Sequence, residues 1–269
     1  IKNGFKLSYK KNTLYWYFFI CIFFVLGIRE VLKIIFSSLL NIFFIRNKIS
    51  KNSAYFASLN ELALPRNVKD VKKKNIINWY IKNKNSFNNM TNIYHDVKSV
   101  KKVSYDEYNI NYSPIVPPFS DILPLFFFIF WSFAAILLCL IDIIRGRWWH
   151  SLLLAESAKL KLFSLQNKNY FNIYLFNNSS AFRRPLWSYE AEKRDCKIFF
   201  YFYSVNNQQY LTKSISDPTP FGWKNTSWPN YLVWDSFNKK FVEKCTNNIK
   251  NIKIVDPTWF SDSDHQFIK

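Results

Sequence analysis

With 269 residues, 20% of them charged, and a mean hydropathy of −0.13, the chain is too polar to lie mostly within a bilayer and long enough for one or two modest domains. A net charge of +19 suits anionic lipid, nucleic acid or acidic protein as partners.

The first segment, residues 1–13, is a basic tail with Lys2, Lys6, Lys10 and Lys11. It is poorer in Arg and Ser than a removable transit peptide, so it reads as a retained tail on headgroups or an acidic neighbour. Residues 14–45 are the first membrane candidate. Leu14–Ile28 is uncharged, with Tyr15, Trp16 and Tyr17 as an interface belt, but makes only about 22 Å of helix. Arg29, Glu30 and Lys33 follow, then the apolar Ile34–Ile45. Either one long helix runs through and beyond the membrane, or the crossing stops near Arg29 and the rest lies on the surface. The continuous helix is preferred, with Glu30 and Lys33 paired at i,i+3, because unpaired charges in lipid are costly.

Residues 46–118 read as a polar Lys/Asn-rich connecting segment. Val68–Lys84 has one amphipathic helical possibility, with Val68, Val71, Ile76, Ile77, Tyr80 and Ile81 on one face. It fits a solvated helix better than a polybasic lipid-binding face. Asn109–Pro124, with four prolines, predicts an extended lead-in.

Residues 119–144 form the strongest membrane signal. No charge interrupts Ile122–Ile141, and Ile122–Ile144 as a helix would be about 34 Å long, enough to cross a hydrocarbon core. Asp121 precedes it, and Arg145, Arg147, Trp148 and Trp149 follow as a basic and aromatic anchor. Residues 145–168 predict an extramembrane helix. Residues 169–269 predict an aromatic-rich α+β domain. Phe171–Phe176 reads as a strand, Lys197–Val205 with Tyr210–Ile215 as one hairpin, and Tyr231–Ser236 with Lys240–Lys244 as a second. Ile252–Val255 reads as a last strand. Trp223 and Trp228 should anchor an ordered loop. The expected fold class is therefore a membrane protein: two transmembrane α-helices plus a small, β-hairpin-rich α+β extramembrane C-terminal domain.

Few residues suggest chemistry. Cys21, Cys139, Cys196 and Cys245 contain no CxxC, and free thiols are favoured over a Cys196–Cys245 disulfide. His95, His150 and His265 stand far apart, which argues against haem or copper. Asp142 is expected to pair with Arg145 near the interface rather than to carry protons. No nucleophile elbow or Gly-rich phosphate loop is present. The sequence thus nominates no catalytic, cofactor-binding or metal residue. It nominates Arg29, Lys33, Arg145, Arg147, Trp148 and Trp149 as lipid or partner contacts, with cardiolipin or another anionic phospholipid as the ligand. The aromatics fall in the spans and hairpins rather than in an RNA-recognition signature, so nucleic acid is a disfavoured partner.

Asn, Lys, Ile, Phe and Tyr abound, while Gly numbers 4 and Met 1, and the first residue is Ile. In this AT-rich composition the chain resembles the mitochondrially encoded, fast-diverging respiratory-complex subunits of ciliates. A nuclear gene of an AT-rich protist, its targeting peptide removed, is the rival origin. The resemblance implies a non-catalytic accessory subunit of a mitochondrial inner-membrane respiratory complex, with cytochrome c oxidase or its supercomplex foremost. Its partners would be other subunits and membrane lipids. Complex I's membrane arm, the ATP synthase membrane region and a membrane-tethered mitoribosome or RNA binder are the alternatives. A carrier or catalytic membrane protein would reveal itself through Asp142. Two crossings would put both termini on one side, and the basic flanks favour the matrix.

Overall fold

The structure is a computed structural model that describes residues 8–45, 49, 53–59, 64, 76–82, 92–98, 102–105, 108–166, 170–177, 183–202, 223, 225–246 and 248–255. In chain order the elements are α1 (Tyr9–Leu40), continued by a π-helical turn at Asn41–Ile45, β1 (Ser53–Ala57), α2 (Ile76–Lys82) and β2 (Asn92–His95). β3 (Lys102–Tyr105), β4 (Tyr108–Tyr112), α3 (Ile122–Ile144), α4 (Trp149–Leu165) and β5 (Ile173–Asn177) follow. The chain continues through α5 (Leu186–Lys193), β6 (Lys197–Tyr201), β7 (Asn230–Val233), α6 (Ser236–Cys245) and β8 (Asn251–Ile254). These elements fall into two units. One comprises residues 1–48, 118–168 and 185–190, and the other 49–117, 169–184 and 191–269.

The second unit is an α/β unit built on an eight-stranded sheet in the order β3-β4-β2-β1-β5-β6-β7-β8. Among the described residues seven strands run parallel, and only β3 pairs antiparallel, with β4 at one edge. The central strands are short and mostly apolar, SAYFA and IYLFN, with polar residues only at Ser53 and Asn177, and every residue in both is buried. That is the composition of a strand covered on both faces. Alternation divides their side chains between two cores. Ala54, Phe56, Ile173, Leu175 and Tyr201 point to the side where α2 lays down Ile76, Ile77 and Tyr80. Tyr55 and Tyr174 point the other way, with rings 5.9 Å apart, and both contact Phe171. Further along that face Trp228 stacks on Phe200 and meets Phe176. Helix α6 starts at an Asp235 cap, whose side chain accepts from the Asn238 N–H at 2.7 Å.

This sheet corrects the expected fold class. The C-terminal region is not a hairpin-rich α+β domain. β6 and β7 are parallel neighbours, and Lys240–Lys244, expected as a return strand, lies within α6. Tyr210–Ile215, the second arm of the other expected hairpin, lies outside the described residues. The physical reason is that apolar runs of four or five residues do not declare their partners. Pairing each with its nearest neighbour in sequence produces hairpins where the chain makes crossovers. Residues 46–118, expected as a polar connector, supply four of the eight strands. α2 also turns its apolar face onto the sheet core instead of onto lipid, while Lys69, Lys72, Lys73 and Lys74 lie outside the described residues.

The other unit is helical. α1 is continuous for 32 residues and runs through Arg29, Glu30 and Lys33 without a break. Ser38 and Asn41 on α1 and its π-helical turn bind the backbone of Phe119, the Ser38 hydroxyl accepting from its N–H and the Asn41 amide donating to its carbonyl. Gly27 lets α1 approach α4 closely at Leu154. Many large apolar side chains of α1 and α3 remain exposed, among them Phe18, Phe36, Phe126, Phe130 and Phe133. The described residues nonetheless do not provide the two transmembrane helices expected. Among the described residues only α3 is long and apolar enough to cross a membrane, while α1 carries Lys10, Lys11, Arg29, Glu30 and Lys33.

Candidate functional site

In the sheet, β2 and β4 lie on one side of β1, and β5 to β8 on the other. The strand order therefore reverses between β1 and β5. In doubly wound sheets the crevice outside the carboxyl ends of the strands at such a reversal is where ligands bind.

Three strand ends are tied together there. Ser58, the first residue after β1, has a left-handed backbone (φ 57) rarely adopted by a side-chain-bearing residue. Its N–H donates to Asp96 Oδ2 at 2.8 Å, just after β2, and its carbonyl accepts from Asn177 Nδ2 at 2.8 Å, at the end of β5. Asp96 Oδ1 is buried with no hydrogen-bond partner among the described residues. Burial raises the Asp96 carboxyl above its ordinary range, and the N–H groups of Ser58, Asp96 and Leu59 oppose that rise. A carboxylate directly after the second strand sits where ribose-binding acids sit in doubly wound nucleotide sites. The Gly-rich phosphate turn of those sites has no counterpart here, since 58–75 contains no glycine.

His95 precedes Asp96 and is fully buried. Its Nδ1 accepts from the Val97 N–H at 3.2 Å, which places the ring proton on Nε2, and burial lowers the imidazole to about 4. In the unfolded chain an imidazole titrates near 6.5. Acid therefore favours the unfolded state, which binds the proton more tightly. This group's contribution is complete above pH ~6.5 and is lost as pH falls toward about 4, a change of about 3 kcal/mol. Asp96, shifted upward, acts in the opposite direction in the carboxylate range, so the His95 step is clearest between pH ~6.5 and ~5. Urea midpoints across that interval should fall for the native chain and stay nearly flat for His95→Asn, which keeps an acceptor for Val97.

The residues nominated from sequence all lie in the helical unit. Arg145, Arg147, Trp148 and Trp149 share the turn between α3 and α4, where Trp149 stacks on Trp148 and Trp148 meets Trp16 edge-on. Arg29 and Lys33 are elsewhere on α1, and Lys33 pairs with Glu30 at 3.4 Å. Asp142 does not take Arg145. It is buried and binds His150 Nδ1 instead, because α4 folds back at Gly146 and returns that ring to the last turn of α3. All four cysteines are free. Burial pushes the Cys196 thiol up to about 11, and its Sγ lies 3.3 Å from the Phe171 carbonyl oxygen. Among the described residues no group of three or more His, Cys, Asp or Glu could hold a metal.

Sequence reasoning missed Ser58, Asp96 and Asn177, which lie 38 and 81 residues apart in sequence and meet only through the register of β1 with β2 and β5. The one available signal was that Ser58 and Asn177 directly follow or end a short apolar run.

No curated protein and no solved structure matches the chain. A family model described as polysaccharide biosynthesis PFTS motif protein matches residues 130–269. That match, with the parallel sheet, overturns the respiratory-chain expectation in all its forms: cytochrome c oxidase, supercomplex, complex I and ATP synthase, and with them the mitoribosomal alternative. Those expectations rested on composition, which AT-rich codons impose on a whole chain whatever its role, whereas the family match rests on an ordered pattern of residues. Spanning just over half of its length, the match places the chain in the family of polysaccharide biosynthesis PFTS motif proteins.

Proposed function

We propose that this chain works in polysaccharide biosynthesis at a membrane, and that its α/β unit binds a nucleotide-activated sugar. The observation that carries this reading is the set of strand ends at the β1/β5 reversal, where Asp96, Ser58 and Asn177 are locked in one network beside an unused carboxylate oxygen. Asp96 would accept from ribose hydroxyls, and a role in polysaccharide biosynthesis is consistent with sugars arriving in nucleotide-activated form. The exposed apolar surface of α1 and α3 supports attachment to a bilayer, since contiguous patches of this kind are rare on surfaces that face water.

The test is calorimetric titration of the full chain in detergent with UDP-, GDP- and CMP-sugars. One class should bind, and Asp96→Asn, which retains an acceptor for the Ser58 N–H, should weaken it roughly 10- to 100-fold, the loss of a charge-assisted hydrogen bond. Absence of binding at millimolar ligand, or identical affinity in Asp96→Asn, would refute the assignment.

A further inference from the structure

The helical unit contains a wholly apolar recess of about 150 Å³. Trp16, Phe19, Ile20 and Phe23 form one wall at helical i, i+3, i+4 and i+7 spacing, and Trp148 and Leu152 form the other. The recess is partly open, since Trp16, Phe19 and Phe23 are exposed along it, and its volume suits a small apolar group. The turn Arg145-Gly146-Arg147 lies beside it. Gly146 has a left-handed backbone (φ 69), and a Cβ there would lie 3.1 Å from the Tyr17 hydroxyl, so the turn is pressed onto α1 next to Trp16. Arg145 and Arg147 are both exposed, and no acidic side chain among the described residues pairs with either, the nearby Asp142 being held by His150. A half-open apolar slot beside two uncommitted guanidinium groups is complementary to an amphiphile with an anionic head and an apolar tail. The slot takes one short apolar segment.

We propose that this recess and its arginine turn hold a lipid acceptor, an isoprenoid phosphate on which the polysaccharide is assembled. One branched five-carbon unit would fill the slot, and the phosphate would lie on Arg145 and Arg147. The inference rests on the polysaccharide reading for the identity of its ligand, but its residues are separate from those of the sheet.

The experiment uses the full chain in nanodiscs of neutral phosphatidylcholine, titrated with polyprenyl phosphate, the uncharged polyprenol and phosphatidylglycerol. Polyprenyl phosphate should bind at least about tenfold more tightly than either of the others. Arg145→Gln with Arg147→Gln should abolish that preference by removing the guanidinium forks, and Leu152→Phe should weaken binding by filling the slot. Nucleotide-sugar binding, measured on the same samples, should not change. Equal retention of phosphatidylglycerol would show a site for bulk anionic lipid and overturn the proposal, as would arginine variants that bind like the native chain. A native chain that binds nucleotide-sugar but shows no preference for polyprenyl phosphate would sink this inference alone, and a native chain that shows the preference but binds no nucleotide-sugar would sink only the reading of the α/β unit.

Discussion

Replacing Trp228 with Ala should destabilise the α/β unit by about 3–5 kcal/mol, the range measured for emptying a large aromatic site in a core. Trp228 is fully buried, its ring 5.1 Å from Phe200 of β6 in a stacked arrangement and 4.7 Å from Phe176 of β5. It therefore packs against two adjacent parallel strands at once, and neither has another aromatic of that size to fill the void. Whole domains are stable by only about 5–15 kcal/mol, so the variant should be largely unfolded at modest denaturant. Trp228→Phe leaves part of the stack in place and should cost roughly half as much. Urea denaturation of the full chain, followed by near-ultraviolet circular dichroism, reads both. An Ala variant within about 1 kcal/mol of the native chain would mean that the stack is not part of the core.

Gly27→Val should separate α1 from α4. A Cβ at Gly27 would stand 2.7 Å from Leu154 Cβ and Cδ2 and 2.8 Å from Cγ, closer than real Cβ atoms come to anything. Leu154 is itself buried, so it has little space into which to yield. The close approach of the two backbones depends on the missing side chain, as it does between helices packed through small residues in membranes. Overpacking of this kind costs about 1–3 kcal/mol, and Val adds β-branching to the clash. The same change combined with Leu154→Ala should recover part of the loss, because the second substitution removes Cγ and Cδ2, two of the three atoms that the first one strikes, and leaves only Cβ. A double-mutant cycle read by thermal aggregation in detergent should show strong coupling between the two positions. Simple additivity would place Gly27 away from Leu154.

The helical unit was far more legible in the sequence than the sheet. Uninterrupted apolarity from Ile122 to Ile141 specifies a helix without any knowledge of neighbours, and the spacing of Glu30 and Lys33 gives their pairing directly. Strands such as SAYFA, NIYH and NYLV are too short to show a period, and being buried on both faces they lack the alternation that marks a half-exposed strand. Asp142 shows the same limit on a smaller scale. Its helical neighbour Arg145 was the visible partner, but the true one, His150, arrives only because Gly146 reverses the chain. The candidate ligand site was illegible for a related reason: Ser58, Asp96 and Asn177 have no shared spacing, and only the parallel register brings them together.

The pairing of β1 with both β2 and β5 has a consequence for sidedness. Strands encoded before Phe119 and after Lys168 belong to one continuous backbone ladder, and a hydrocarbon layer cannot divide such a ladder. Between Tyr112 and Ile173 the number of passages through a bilayer must then be even. α3 is the one described helix in that interval able to make a passage unaided, since α4 is about 25 Å long and includes Glu156, Lys159 and Lys161. α3 is therefore not a lone crossing: whatever depth it reaches, the polypeptide is back at the leaflet it left before β5 begins.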